Sequence, residues 1–156
     1  MAKSRFPSIK EPRGLLRTDG KRPDGLSLIP WQDGRCVTWD VIVTDTVAAS
    51  YLNNTASCAG SAAEAAASRK EDKYAEIAVR YHFFPLAFET FGPINQAGCE
   101  FLSSLGHRLS IVSDDPRETS FLFQRLSVSI QRFNSVCFCN SFGNLPAQFL
   151  DQPRHT

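Results

Sequence analysis

The run Cys36-Val37-Thr38-Trp39-Asp40-Val41-Ile42-Val43 constrains this chain more than any other feature. It is rich in β-branched and aromatic residues, which favours a strand, and it is apolar at odd and even positions alike. Both faces of that strand must therefore be covered, as in the interior of a sheet with helices on each side. The 156 residues of the chain suffice for one domain with a real core and fall short of a polymerase plus a nuclease. Asp40 interrupts the run. An ionised carboxylate in a doubly covered strand demands a partner that compensates its charge.

Around this strand the remaining elements fall into place. Residues 1–20, rich in Lys, Arg, Pro and Gly, show neither helical nor alternating periodicity and read as a basic, flexible arm. Order is expected from about residue 21. Gly25 to Trp31 reads as a strand, and Gln32-Asp33-Gly34 supplies an Asp-Gly hairpin turn into the second strand, Arg35 to Thr44. Ser61 followed by Glu64 has the spacing of a capping box, which opens an alanine-rich helix expected to run to Tyr81. At one hundred degrees per residue Ala63, Ala66, Tyr74, Ile77 and Tyr81 share a stripe, with Lys70 in its middle and Lys73 at its edge. Phe83 to Phe88 reads as a third strand, which Pro85 places at an edge or a bulge. Two helices follow: Asn95 to Ile111 turns Phe101, Leu102, Leu105 and Leu109 inward, and the last opens at Asp115-Pro116 and turns Phe121, Leu122, Leu126, Ile130 and Phe133 inward. The domain is expected to end at about residue 142, with 143–156 as a frayed tail. The order strand, strand, helix, strand, helix, helix predicts an α/β sandwich.

Composition narrows the function classes. Seventeen Lys and Arg against sixteen Asp and Glu give no bulk basic charge, so any contact with nucleic acid must come from a local patch. The five cysteines are odd in number, scattered and without CxxC spacing, which reads as reduced thiols in an intracellular, nuclear or cytoplasmic protein rather than as a zinc site. No segment has the length and apolarity of a membrane span, and the N-terminus lacks the apolar core of an export signal.

The residues that could carry chemistry are few. Asp24 opens the strand that the hairpin lays beside Asp40, so the two carboxylates can converge where each alone would repel the other. A divalent cation resolves that repulsion, and hard oxygen ligands suit Mg2+ or Mn2+. Lys70, an ammonium centred on an apolar stripe, must either extend to water or reach a polar pocket. In such a pocket it could orient or deprotonate a water, or stabilise charge on a phosphate. Lys73 could meet a DNA backbone. The competing readings are ordinary ones: a turn aspartate before Gly25, a strand-end aspartate bonded to backbone, and a lysine stem covering apolar surface. Glu89 closes a strand near the same place and fits either a metal ligand or, better, a cap on the turn at Gly92. His82 and His107 have no partners at ligand spacing and read as structural. Arg117, Arg125 and Arg132 lie at helical spacing, which suits a DNA-facing stripe and a solvated face equally well.

The set Arg22-Pro23-Asp24, then Asp40 within Trp39-Asp40-Val41-Ile42-Val43, then Lys70-Glu71-Asp72-Lys73-Tyr74 resembles the PD-(D/E)XK-like, restriction-enzyme-like endonuclease of site-specific non-LTR retrotransposons. The resemblance covers about Arg22 to Asn134. It implies a restriction-endonuclease-like mixed sheet flanked by helices, lacking part of the N-terminal helix unless the arm with Glu11 supplies it. It further implies a nucleus-acting, Mg2+- or Mn2+-dependent hydrolase that nicks target DNA to prime reverse transcription, with Asp24 and Asp40 as metal ligands. Lys70 or Lys73 would stand for a catalytic lysine moved from strand to helix, because Ile42 occupies the strand position of the ordinary signature. Intact elements carry a reverse transcriptase and usually a cysteine-histidine motif upstream, and this chain holds neither, so it reads as a separated module. The alternatives from other classes are a catalytically inactive nuclease fold that binds DNA or a protein, and a decayed fragment.

Overall fold

In a computed structural model, residues 6–15, 22–45 and 58–143 are described. A four-stranded mixed sheet in the order β1-β2-β3-β4 forms the centre, with β1 at Ser8–Lys10, β2 at Gly25–Ser27, β3 at Val37–Thr44 and β4 at His82–Glu89. The first three strands form an antiparallel meander, and β4 joins β3 in parallel, with Val37 beside His82 and Thr44 beside Glu89. A parallel neighbour requires a crossover. Here α1, Ser61–Lys73, lies within it, followed by the short α2, Ala75–Ala78. The helices α3, Gln96–Ser113, and α4, Glu118–Gly143, complete the chain. The architecture is thus α/β, a mixed sheet flanked by helices, as the order of elements predicts.

Side-chain alternation divides β3 and β4 between two cores. Val37 and Trp39, with Phe84, Leu86 and Phe88, meet Phe101 and Leu102 of α3 and Leu122, Leu126 and Ile130 of α4. Ile42 and Ala87 point the other way and meet Ala63, Ala66 and Ala67 of α1. Cover on both faces is complete only along the first half of β3, since Val41 and Val43 are each more than two-fifths exposed. The hairpin turn forms as expected, with Asp33 and Gly34 at positive φ and the Arg35 N–H donating to Gln32 O at 2.9 Å. Gly25 is demanded by packing: a Cβ there would lie 2.1 Å from the Trp39 ring.

Five local expectations are corrected. The arm is not wholly outside the domain, because Ser8–Lys10 pairs with β2 as the edge strand β1. The first hairpin strand ends at Ser27 instead of reaching Trp31. The capping box does not form: Gly60 in the left-handed region is the N-cap, Ser61 Oγ has no partner among the described residues, and the Glu64 carboxylate accepts the Gln96 N–H of α3 instead. The helix expected to reach Tyr81 breaks at Tyr74, whose φ of −106° and ψ of 18° leave the helical basin. On α4, Phe121 and Phe133 are 37% and 57% exposed, so of the expected stripe Leu122, Leu126 and Ile130 turn inward. Pro85 lies, as its chemistry requires, in an edge strand. Among the described residues no helix is long and apolar enough to cross a membrane.

Candidate active site

Asp40 sits at the middle of β3 on the face covered by α1, and it is 4% exposed. Its Oδ2 forms an ion pair with the Lys70 ammonium and takes no hydrogen bond from any other described group. Its Oδ1 accepts from the Tyr74 hydroxyl at 3.2 Å. Lys70 and Tyr74 reach it because they stand one helical turn apart on the face of α1 whose preceding positions are Ala63, Ala66 and Ala67. Side chains that small let the helix approach the sheet closely, and the longer ones beyond them span the gap to Asp40. Lys70 keeps 21% of its side chain exposed, so it joins the buried carboxylate to the solvent-facing rim. It does not snorkel out to water; it closes a buried charge pair, which is what makes Asp40 tolerable in the strand.

Asp24 arrives from the other side of β3. Its N–H donates to Trp39 O at 3.0 Å, and its Oδ2 accepts the Val41 N–H at 2.7 Å. The carboxylate thereby replaces the next residue of β2 as the partner for a β3 amide and finishes the ladder. Standard backbone geometry puts Asp24 Oδ2 no more than about 5 Å from the Asp40 Cα, since Val41 N is bonded to the Asp40 carbonyl carbon. The two aspartates of the motif occupy adjacent places on one strand. Each already has partners, a backbone amide for Asp24 and a cation with a hydroxyl for Asp40.

Tyr74 connects these pieces. Its side chain is 1% exposed, its ring packs against Phe83 with centroids 5.0 Å apart, and its hydroxyl lies 3.1 Å from the carbonyl oxygen of Arg22 as well as 3.2 Å from Asp40. Lys73 lies at the rim with its ammonium 4.6 Å from the centroid of the same ring. The segment before Asp24 is clamped in turn. Arg22 forms an ion pair with Glu11, and the Glu11 N–H donates to Asp24 O at 2.8 Å. Glu11 is not on a helix: it follows β1 with a φ of 47°. The Arg22 guanidinium, through its hydrogen bond and then its charge, holds the Glu11 carboxyl below the usual glutamate range.

Glu89, expected either at the metal or on the Gly92 turn, does neither with its side chain. It is 1% exposed, and its Oε1 accepts the N–H groups of Ala62 and Ala63 at 2.9 and 3.2 Å, a carboxylate set against the N-terminus of α1. It lies four positions along β4 from the partner of Asp40 and belongs to the seating of α1, not to the site. Among the described residues the His82 ring donates from Nε2 to Gln32 O and meets Arg35 at Nδ1, in keeping with a structural role. Arg117 and Arg125 are engaged by Asp115 and Glu118, as on a solvated face.

Of the residues expected to act, Asp24, Asp40 and Lys70 are brought together and Lys73 stands at their edge. The residues not assigned a role from sequence are Tyr74 and the Arg22 carbonyl. The signal for Tyr74 was its position four residues after Lys70 on one stripe; a main-chain oxygen leaves no mark in a sequence. Among the described residues no three His, Cys, Asp or Glu side chains gather at metal-binding distance. A cation at this place would accordingly be held by two carboxylates, main-chain oxygen and water, which is the pattern Mg2+ favours. The chemistry of the donor set suits one: two carboxylates on neighbouring backbone, Asp40 held by its ion pair with Lys70 and a hydrogen bond from Tyr74, and Asp24 by the Val41 amide through one of its two oxygens. No protein-family model, curated protein or solved structure matches the chain.

Proposed function

We propose that this domain is a metal-dependent DNA endonuclease of the PD-(D/E)XK kind, akin to that of site-specific non-LTR retrotransposons, which nicks DNA by attack of water on a phosphodiester. One observation carries the reading: three parts of a motif spread along the sequence come to one stretch of β3, where the buried Asp40 pairs with Lys70 and Asp24 binds the amide of the next residue, Val41. A mixed sheet flanked by helices, with the site where the meander meets the crossover helix, agrees with a restriction-endonuclease-like fold.

Asp24 and Asp40 would hold Mg2+ or Mn2+, which when bound makes water a stronger nucleophile and neutralises charge on the phosphate. Lys70, already directed into the pocket by Asp40, would place its ammonium against the attacking water or the phosphoryl oxygens and stabilise the charge that grows there. Asp40 holds that ammonium in place through their ion pair. Lys73, at the rim, would meet the phosphate backbone of the bound strand. The attacking oxygen forms a bond to phosphorus while the bond to the leaving oxygen breaks, and no Ser, Cys or Tyr nucleophile is used.

A second reading has one observation in its favour. Asp24 and Asp40 are each satisfied by protein groups alone, as in a nuclease fold that holds DNA without cutting it. Incubation of the purified chain with supercoiled plasmid separates the two. The enzyme should nick in Mg2+, and Asp24→Asn, Asp40→Asn and Lys70→Met should each lose about 10²–10⁴-fold in rate. Nicking that persists in both aspartate variants would remove the mechanism. Retention of DNA that weakens steeply with salt, without cleavage by the wild type, would establish the binding reading instead.

A further inference from the structure

Tyr74 is the largest of the fully buried side chains, and it carries a hydroxyl that a phenylalanine filling the same space would not. A buried phenol is retained where its proton has work, since the group must find a partner on leaving water. Among the described residues it finds the Arg22 carbonyl at 3.1 Å and Asp40 Oδ1 at 3.2 Å, and both distances exceed the usual ~2.7–2.8 Å of an O–H···O bond. Three oxygens thus share one proton. The hydroxyl bridges the main chain two residues before Asp24 and the carboxylate of Asp40, a tie between the two segments in addition to the hydrogen bonds that Asp24 makes to β3. The backbone leaves the helix at this residue, and one side of the ring packs on Phe83.

We propose that Tyr74 is a positioning residue for divalent-cation binding, its hydroxyl holding the Arg22–Asp24 segment at a fixed distance from Asp40. The role rests on the nuclease reading for its place in a reaction, yet it is measurable without cleavage. The hydroxyl touches neither substrate nor the reacting atoms. Its loss loosens the spacing of the ligands, so it shows in how tightly the cation is held. A ligand-supporting hydrogen bond of this type is worth about 10-fold in metal affinity.

The test is Mn2+ binding, followed from the electron paramagnetic resonance of the free ion, in wild type, Tyr74→Phe and Phe83→Leu. Tyr74→Phe should weaken Mn2+ binding about 10-fold and raise by a similar factor the Mg2+ needed for half-maximal nicking, the deficit being recovered as Mg2+ is raised. Phe83→Leu trims the ring contact and keeps the hydroxyl, so it should lower the unfolding temperature without moving Mn2+ affinity. Equal Mn2+ affinity in wild type and Tyr74→Phe, or an equal loss in Phe83→Leu, would overturn the proposal. Should Tyr74→Phe fail to fold, wild-type protein bearing 3-fluorotyrosine at its three tyrosines decides the matter. The Tyr74 fluorine signal, assigned through Tyr51→Phe and Tyr81→Phe, should be broadened by Mn2+ before that of Tyr81, and broadening of Tyr81 first, or none at Tyr74, would also overturn it. The two ideas fail separately: a wild type that binds Mn2+ beside Tyr74 and never nicks ends the nuclease reading alone. Nicking with unchanged metal dependence in Tyr74→Phe ends only the positioning role.

Discussion

Where α3 and α4 cover the sheet, Trp31, Val37, Leu86, Phe88, Phe101 and Leu102 fill the space between, with Phe84 stacked on Phe101 at 4.8 Å between centroids. Where α1 covers the opposite face, Ala63, Ala66, Ala67 and Ala87 do so, and the buried groups beside them are Asp40, Tyr74 and Glu89. The first face removes much apolar surface from water and supplies most of the stability. The second buries little apolar surface, but it brings helix backbone close to strand backbone and admits polar side chains in register. A single sheet thus separates the part that holds the fold from the part that can carry chemistry.

The sharpest way to break this division is Phe101→Ala. Phe101 touches Trp31, Trp39 and Phe84, and its removal should destabilise by about 3–5 kcal/mol. Chemical denaturation measures it; a loss below about 1 kcal/mol would show that the aromatic face does not dominate. Next comes Ala66→Leu on the other face. Ala66 is 1% exposed beneath α1, and the added bulk should cost about 1–3 kcal/mol while lifting Lys70 away from Asp40. The proposed metal-dependent nicking should fall by more than the lost stability explains, and a variant that folds less well yet matches the wild type in that assay would contradict the close-approach account. The smallest effect concerns the clamp at the edge of the sheet. Because Arg22 lowers the Glu11 carboxyl, the stabilisation is complete above the ordinary glutamate range and vanishes as pH falls through the lowered value. Wild type should therefore melt slightly above Glu11→Gln at neutral pH and with it in acid, and the difference should shrink in salt because the pair is exposed. A gap that widened toward acid would reverse the assignment.

Much of the fold was legible because its signals are local. The β-branched and aromatic run of β3, the Asp33-Gly34 turn and the alanine stripe of α1 each state a conformation and a face without reference to distant residues. What was misread depends on distant groups. Ser61 and Glu64 have the spacing of a capping box, but Glu89, twenty-six residues after Ala63, supplies the carboxylate, which frees Glu64 for α3. The segment around Ser8 has no periodicity of its own and becomes a strand because β2 offers an unpaired edge. At the candidate site, Asp40 stood out because a charge in an apolar strand must be compensated, and Lys70 because an ammonium stood on an apolar stripe. That these two oddities answer each other could not be read from either one.

The sequence by itself determined the element types, the strand that must be interior and the short roster of aspartates and lysines with any claim to chemistry, since propensity and periodicity act over a few residues. Only the tertiary structure decided which of them meet. The parallel pairing of β4 with β3 lays α1 across Asp40, and the meander delivers Asp24 to the Val41 amide. The physical reason is that pairing across a sheet depends on hydrogen-bond register and on how closely a helix can approach, quantities set jointly by residues far apart in the chain.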